Sequence, residues 1–133
     1  MKILLISYGN IDYDGRLRGL ISIFSKMGTV FPFTRGKAPM NNLGVVCNLS
    51  YIRFVRESLR YAESLGGFDC LVLDNRKATI PGLLILRKIK PQIVIQDCRE
   101  LYLMNEINYW QGKVGCFFEK CMLCLLYTSP SPR

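Results

Sequence analysis

The sequence predicts an α/β fold, a Rossmann-like parallel sheet with helices on both faces, and three observations carry that reading. Short runs of Leu and β-branched residues, such as Ile3-Leu4-Leu5-Ile6 and Ile93-Val94-Ile95, recur along the chain. Continuous rather than alternating apolar runs mark strands buried on both faces of a sheet. Between them lie segments with apolar residues at helical spacing, and strands that alternate with helices imply right-handed βαβ crossovers.

The elements follow in order. Residues 2–7 form a first strand that meets its loop at Gly9-Asn10. Leu17, Leu20, Ile21 and Phe24 then fall at i, i+3, i+4 and i+7, one face of a helix, with Arg16, Arg18 and Lys26 outside that face and Gly28 at its stop. Residues 29–33 form a second, weaker strand. Residues 34–48, rich in Gly, Pro, Asn and Lys, form a long connection with room for a short strand at Val45-Val46. Ser50 is the expected N-cap of a helix that runs to about Leu65. Ile52, Val55, Leu59 and Ala62 are expected inward, with Arg53, Arg56 and Arg60 on another face. Residues 68–73 form a strand whose carboxyl end presents Asp74-Asn75, and an apolar helix over residues 80–89 follows with Pro81 in its first turn. Residues 92–96 form the next strand, whose end presents Asp97-Cys98-Arg99-Glu100, and an amphipathic stretch over 113–123 closes the pattern.

Composition bounds the chemistry. A chain of 133 residues, half of them apolar, sustains one core. Its apolar runs fall well short of the roughly 18–20 residues of a membrane span, and the N-terminus lacks the apolar length of a secretory signal, so a cytoplasmic protein is expected. Eighteen Lys and Arg against ten Asp and Glu give a net charge of +8, which favours anionic partners. The absence of His removes the usual general base and the usual zinc ligand. Cys47, Cys70 and Cys98 stand singly in or beside apolar runs and read as reduced core thiols; Cys121-x-x-Cys124 lacks a second pair, so no metal site is expected. Residues 124–133, CLLYTSPSPR, break abruptly into a Ser/Pro string that matches translated sequencing-adapter read-through. The domain is therefore expected to occupy residues 1–123, with 124–133 a non-native tail.

In open parallel sheets ligands bind beyond the carboxyl ends of the strands, which singles out the loops at residues 8–15, 74–79 and 97–101. The first holds Gly9, Asn10, Asp12, Asp14, Gly15 and Arg16, but neither GxGxxG nor the P-loop pattern ending in GK[ST] is present, which disfavours nicotinamide and ATP sites of those types. Gly9 is either a strand-end turn or a place where loop amides face phosphates. Asp14 either caps the first helix or contacts substrate. Asp74-Asn75 serves as a loop cap or a ligand contact, and Asp97, Arg99 and Glu100 serve in ligand positioning or as a charge pair supporting the loop. The stripe of Arg53, Arg56 and Arg60 is a solvated helix face or a contact for anionic headgroups. Tyr8, Tyr13, Tyr102, Tyr109 and Trp110 stack on sugars if exposed and pack in the core otherwise.

Four segments in this order resemble the amino-terminal domain of family 4 glycosyltransferases, which have the two-domain GT-B fold: MKILLIS at residues 1–7, Asp14-x-Arg16 with its apolar helix, FDCLVLDN at 68–75, and VIQDCRELY at 94–102. The last resembles the family's strand ending in D-x-H-E-L, with Asp97, Glu100 and Leu101 in place and Arg99 where many members carry His. The resemblance implies a retaining enzyme that moves a sugar from a nucleotide-sugar donor to a glycan or lipid-linked acceptor, with no cofactor. The acceptor is then seated mainly on this domain and the donor mainly on a following domain that carries the family's paired-Glu motif. Gly9, Asn10, Asp14, Arg16, Asp74, Asn75, Asp97, Arg99 and Glu100 are the expected substrate-binding residues. No catalytic residue is assigned. Taken alone this piece is expected to be inactive, and peripheral contact with an anionic membrane fits a lipid-linked acceptor. The competing reading is a non-enzymatic basic α/β binding module, flavodoxin-like or nucleic-acid-binding, although no nucleic-acid signature is present and a nucleic-acid partner is not expected.

Overall fold

The computed structural model describes residues 1–36, 45–46, 50–97 and 110–128, with residues 45, 46, 110–112 and 126–128 described by their backbone only. In chain order the elements are β1 (Lys2–Asn10), α1 (Gly15–Ser25), β2 (Thr29–Arg35), β3 (Val45–Val46), α2 (Tyr51–Ser64), β4 (Cys70–Asp74), a 3₁₀ turn (Arg76–Ala78), α3 (Thr79–Lys88), β5 (Ile93–Asp97) and α4 (Trp110–Thr128). The strands form one five-stranded sheet in the order β3-β2-β1-β4-β5. All neighbouring pairs are parallel. The chain steps from β1 outward through β2 to β3, then returns past β1 to lay down β4 and β5. The reversal places a topological switch point between β1 and β4, where open α/β sheets bind ligands.

Period-two alternation along the central strands divides the core. Leu4 and Ile6 of β1, in register with Leu71 and Leu73 of β4, point to a face covered by α2, α3 and α4 through Phe54, Ala62, Ile85 and Met122. Ile3 and Leu5, in register with Cys70 and Val72, point to the opposite face, which α1 covers with Leu17 and Ile21. Burying each such Leu or Ile contributes about 1.5–3 kcal/mol. Gly82 lets α3 settle on the sheet, because a Cβ there would lie 2.4 Å from Leu73 Cδ1.

The Rossmann-like parallel architecture with helices on both faces stands as expected, with local differences. Strand β1 extends to Asn10 and β2 to Arg35, past the ends of their apolar runs, because both continue pairing across an irregularity between Ile6 and Asn10. On α2 Ala62 is buried and Leu59 packs against the core as expected, but Phe54 and Ser58 are also inward, Val55 is only partly buried and Ile52 is 83% exposed. The physical reason is aromatic: Phe54 meets Tyr8 and Phe33 at ring separations of 5.0 and 5.2 Å, which fixes the rotation of the helix. Ser50 occupies the N-cap position of α2 without a side-chain capping bond. Helix α4 passes residue 123 and reaches Thr128, since Cys124 to Tyr127 contains no breaker. Among the described residues, no helix is long and apolar enough to cross a membrane.

Candidate functional site

At the carboxyl ends of β1 and β4 a polar network replaces the apolar core. Ser7 Oγ, fully buried, donates to Asp74 Oδ2 at 2.6 Å and accepts from the Gly9 N–H at 3.0 Å. Asp74 is 2% exposed. Burial pushes its carboxyl above the ordinary aspartate range, the Ser7 hydrogen bond pulls it down, and the charge of nearby Asp14 raises it again. Gly9 packs closely against the network: a Cβ there would sit 3.0 Å from Ser7 Oγ and 3.2 Å from Asp14 Oδ2, so one of them would have to shift by a few tenths of an ångström.

Asp14 is the N-cap of α1, with Oδ1 accepting from the N–H groups of Arg16 and Leu17 at 3.1 Å each. Asn10 organises the turn leading to it: its Oδ1 accepts from the Asp12 N–H at 3.0 Å, and its carbonyl accepts from the N–H groups of Tyr13 and Asp14. Arg16 reaches across from α1 to form an ion pair with Asp97 at the end of β5. Asn75 has φ 66° and ψ 170°, a conformation close to glycine territory. It is held there by its N–H donating to the Asp97 carbonyl at 2.8 Å and by its Oδ1 accepting from the Arg76 N–H at 2.7 Å.

These groups surround a cleft of about 290 Å³, lined by Gly9, Asp14, Asp74 and Asn75 together with Tyr8, Arg35, Arg76 and Lys77. Of the sequence-predicted residues, those first four line the cleft, Arg16 and Asp97 pair beside it, and Asn10 shapes its turn. Arg99 and Glu100 lie outside the described residues. The stripe on α2 is a solvated face in which Arg56 and Arg60 both pair with Glu57, at 3.3 and 2.9 Å.

The residues missed from sequence are the cations. Arg35 stands over the Tyr8 ring with its guanidinium carbon 4.5 Å from the centroid, and Lys77 Nζ lies 5.0 Å from the same centroid. Arg76 and Lys77 directly follow Asp74-Asn75, so the loop was legible from its place at a strand end, although nothing in its sequence marks these cations as facing a cleft. Arg35 was hidden because its strand outruns its apolar residues. The Tyr51 hydroxyl donates to the Lys77 carbonyl at 2.9 Å, tying α2 to the 3₁₀ turn that carries both cations. Among the described residues, no group of three or more Cys, Asp or Glu is placed to hold a metal ion. Cys70, Cys116, Cys121 and Cys124 form no disulfide among the described residues, with Cys70 in the core; Cys47 and Cys98 lie outside the described residues.

Comparison with protein-family models, with curated proteins and with solved structures finds no match to this chain.

Proposed function

We propose that this chain is the acceptor-side domain of a retaining glycosyltransferase, which transfers a sugar from a nucleotide-sugar donor to a glycan or lipid-linked acceptor. One observation carries the reading: two polar contacts join, in two pairs, the four segments that resemble the family. Ser7, from the first segment, donates to Asp74, from the third, and Arg16, from the second, pairs with Asp97, from the fourth. Residues scattered over the chain thus meet at the switch point, where an open parallel sheet holds its ligand.

The chemistry accounts for a division of labour. Sugar transfer develops positive character at the anomeric carbon and negative charge on the leaving diphosphate, and it requires water to be excluded. Closure of two domains on the reactants meets both needs, and an open half-cleft at the end of one sheet meets neither alone. Supporting the same reading, Ile93 and Ile95 of β5 are 46% and 37% exposed, an apolar surface suited to a further helix of the same protein. A cytoplasmic enzyme with peripheral membrane contact fits a lipid-linked acceptor.

The test is to express the product of the whole parental reading frame beside the 133-residue chain and assay both for sugar release and transfer from nucleotide sugars. The expected outcome is turnover by the whole product and none by the short chain. Turnover by the short chain, or a frame that encodes no second α/β domain, contradicts the proposal.

A further inference from the structure

A second cleft, of about 550 Å³, opens beside the first, and the two share Tyr8, Arg76 and Lys77. Its remaining lining includes Tyr51, Ile80, Val114 and Phe118, and it is mainly apolar where the first is polar. Its volume falls in the range of about 300–1,000 Å³ usual for small-molecule sites. The two clefts therefore adjoin, one cationic and one apolar, with Tyr8 at the junction.

The acids of the cationic end have partners of their own. Asp14 turns Oδ1 to the N-terminus of α1, and Asp74 turns Oδ2 to Ser7. Arg35 and Lys77 are both held at the Tyr8 ring. Arg35 Nε is buried without a hydrogen-bond partner among the described residues, a donor that an anionic oxygen would satisfy. At the other end, Ile52 stands 83% exposed on the rim, next to exposed Arg53, the pairing of apolar and basic groups that suits a lipid–water boundary.

We infer that the adjoining clefts bind an amphiphile, with its phosphate head against Arg35 and Lys77 and its hydrocarbon tail along Ile80 and Phe118. The inference rests on the proposed function only in naming this amphiphile as the sugar acceptor. The binding site itself follows from the two clefts. A free sugar or nucleotide would leave the apolar half without an apolar ligand group to match it, and a simple fatty chain would leave Arg35 unsatisfied.

Calorimetric titration of the 133-residue chain with farnesyl phosphate, farnesol, inorganic phosphate and phosphatidylglycerol vesicles tests the site. Farnesyl phosphate is expected to bind at least about tenfold more tightly than farnesol or inorganic phosphate, a gap of about 1.4 kcal/mol. Lys77→Ala and Arg35→Ala should each weaken farnesyl phosphate about fivefold or more and leave farnesol unchanged. Ile80→Ser should narrow the gap between farnesyl phosphate and inorganic phosphate, with circular dichroism confirming that each variant is folded. Equal binding of farnesyl phosphate and farnesol overturns the proposal. So does indifference of folded Lys77→Ala to the phosphate, or vesicle binding as tight as that of farnesyl phosphate and lost in Arg53→Ala rather than Lys77→Ala. Amphiphile binding without sugar transfer by the whole-frame product removes the acceptor role and leaves the site standing; transfer without amphiphile binding overturns the site and leaves only the proposed sugar transfer standing.

Discussion

Strands β4 and β5 are parallel neighbours of five residues each, both apolar at their start and both ending in Asp, yet β4 is buried at every position and β5 at none. Composition does not separate them; position in the sheet does. Strand β4 lies between β1 and β5 with helices over both faces, while β5 is an edge of the described sheet and shows Ile93 and Ile95 to solvent. The aspartates that end the strands face each other in register and inherit the same difference. Asp74 is sealed against Ser7 with its ionisation disfavoured, and Asp97 is partly exposed and paired with Arg16. The sheet thus places an uncommon buried acid at its centre and an ordinary ion pair one strand away, and the cleft opens over the first.

The comparison is broken most readily by truncating one side chain in each strand. Leu73→Ala in β4 should cost about 3 kcal/mol or more, because it removes a fully buried side chain that also packs on Gly82, whereas Ile95→Ala should cost less than about 1 kcal/mol. Urea unfolding of both variants checks this, and equal losses would mean that β5 is as well covered as β4.

Next in size is the turn that links the two strands. Asn75→Ala keeps the unfavourable φ and loses the Oδ1 bond to Arg76, at an expected cost of about 1–2 kcal/mol. Asn75→Gly should recover most of it, since glycine adopts that backbone without strain. If both variants unfold at the same denaturant concentration, strain at Asn75 is not part of the site.

A smaller effect sharpens the contrast between the acids. An acid with a raised folded pKa holds its proton more firmly folded than unfolded. The contribution of Asp74 is therefore most favourable at acid pH, falls as pH climbs from the ordinary value of 3.8 through the raised folded one, and is level above it. Asp74→Asn removes this slope, so the stability of the wild type relative to the variant should decline across that window. A constant difference between them, measured by urea midpoints at several pH values, contradicts a proton-retaining Asp74.

The smallest effect is expected from Arg16→Ala, which breaks a half-exposed ion pair and should cost under about 1 kcal/mol, less still at high salt. A large, salt-independent loss would show that Asp97 relies on Arg16 as a buried charge relies on its partner.

Much of this arrangement was legible in the sequence, and the reasons it was or was not are physical. Strands β1 and β4 announced themselves because burial on both faces demands unbroken apolar runs, and Asp74-Asn75 stood out because it lies at the carboxyl end of such a run, where open parallel sheets bind ligands. The capping role of Asp14 was one of two readings, and the bonds to Arg16 and Leu17 now describe it. The inward face of α2 was legible only in part: Ala62 and Leu59 meet the core as expected, but Phe54 was missed. Hydropathy favours Ile52, but Phe54 has an aromatic partner on each of two strands, and such tertiary contacts are invisible to periodicity. Arg35 was missed for a related reason, since strand pairing carried β2 beyond its hydrophobic residues.

The account as a whole turns on whether the cleft over β1 and β4 serves the acceptor. The direct measurement is steady-state kinetics of the whole-frame product and its Arg35→Ala variant, with donor and acceptor varied separately. The account predicts an acceptor KM raised about fivefold or more, with donor KM and donor hydrolysis in the absence of acceptor unchanged. A raised donor KM with the acceptor KM unmoved would contradict it.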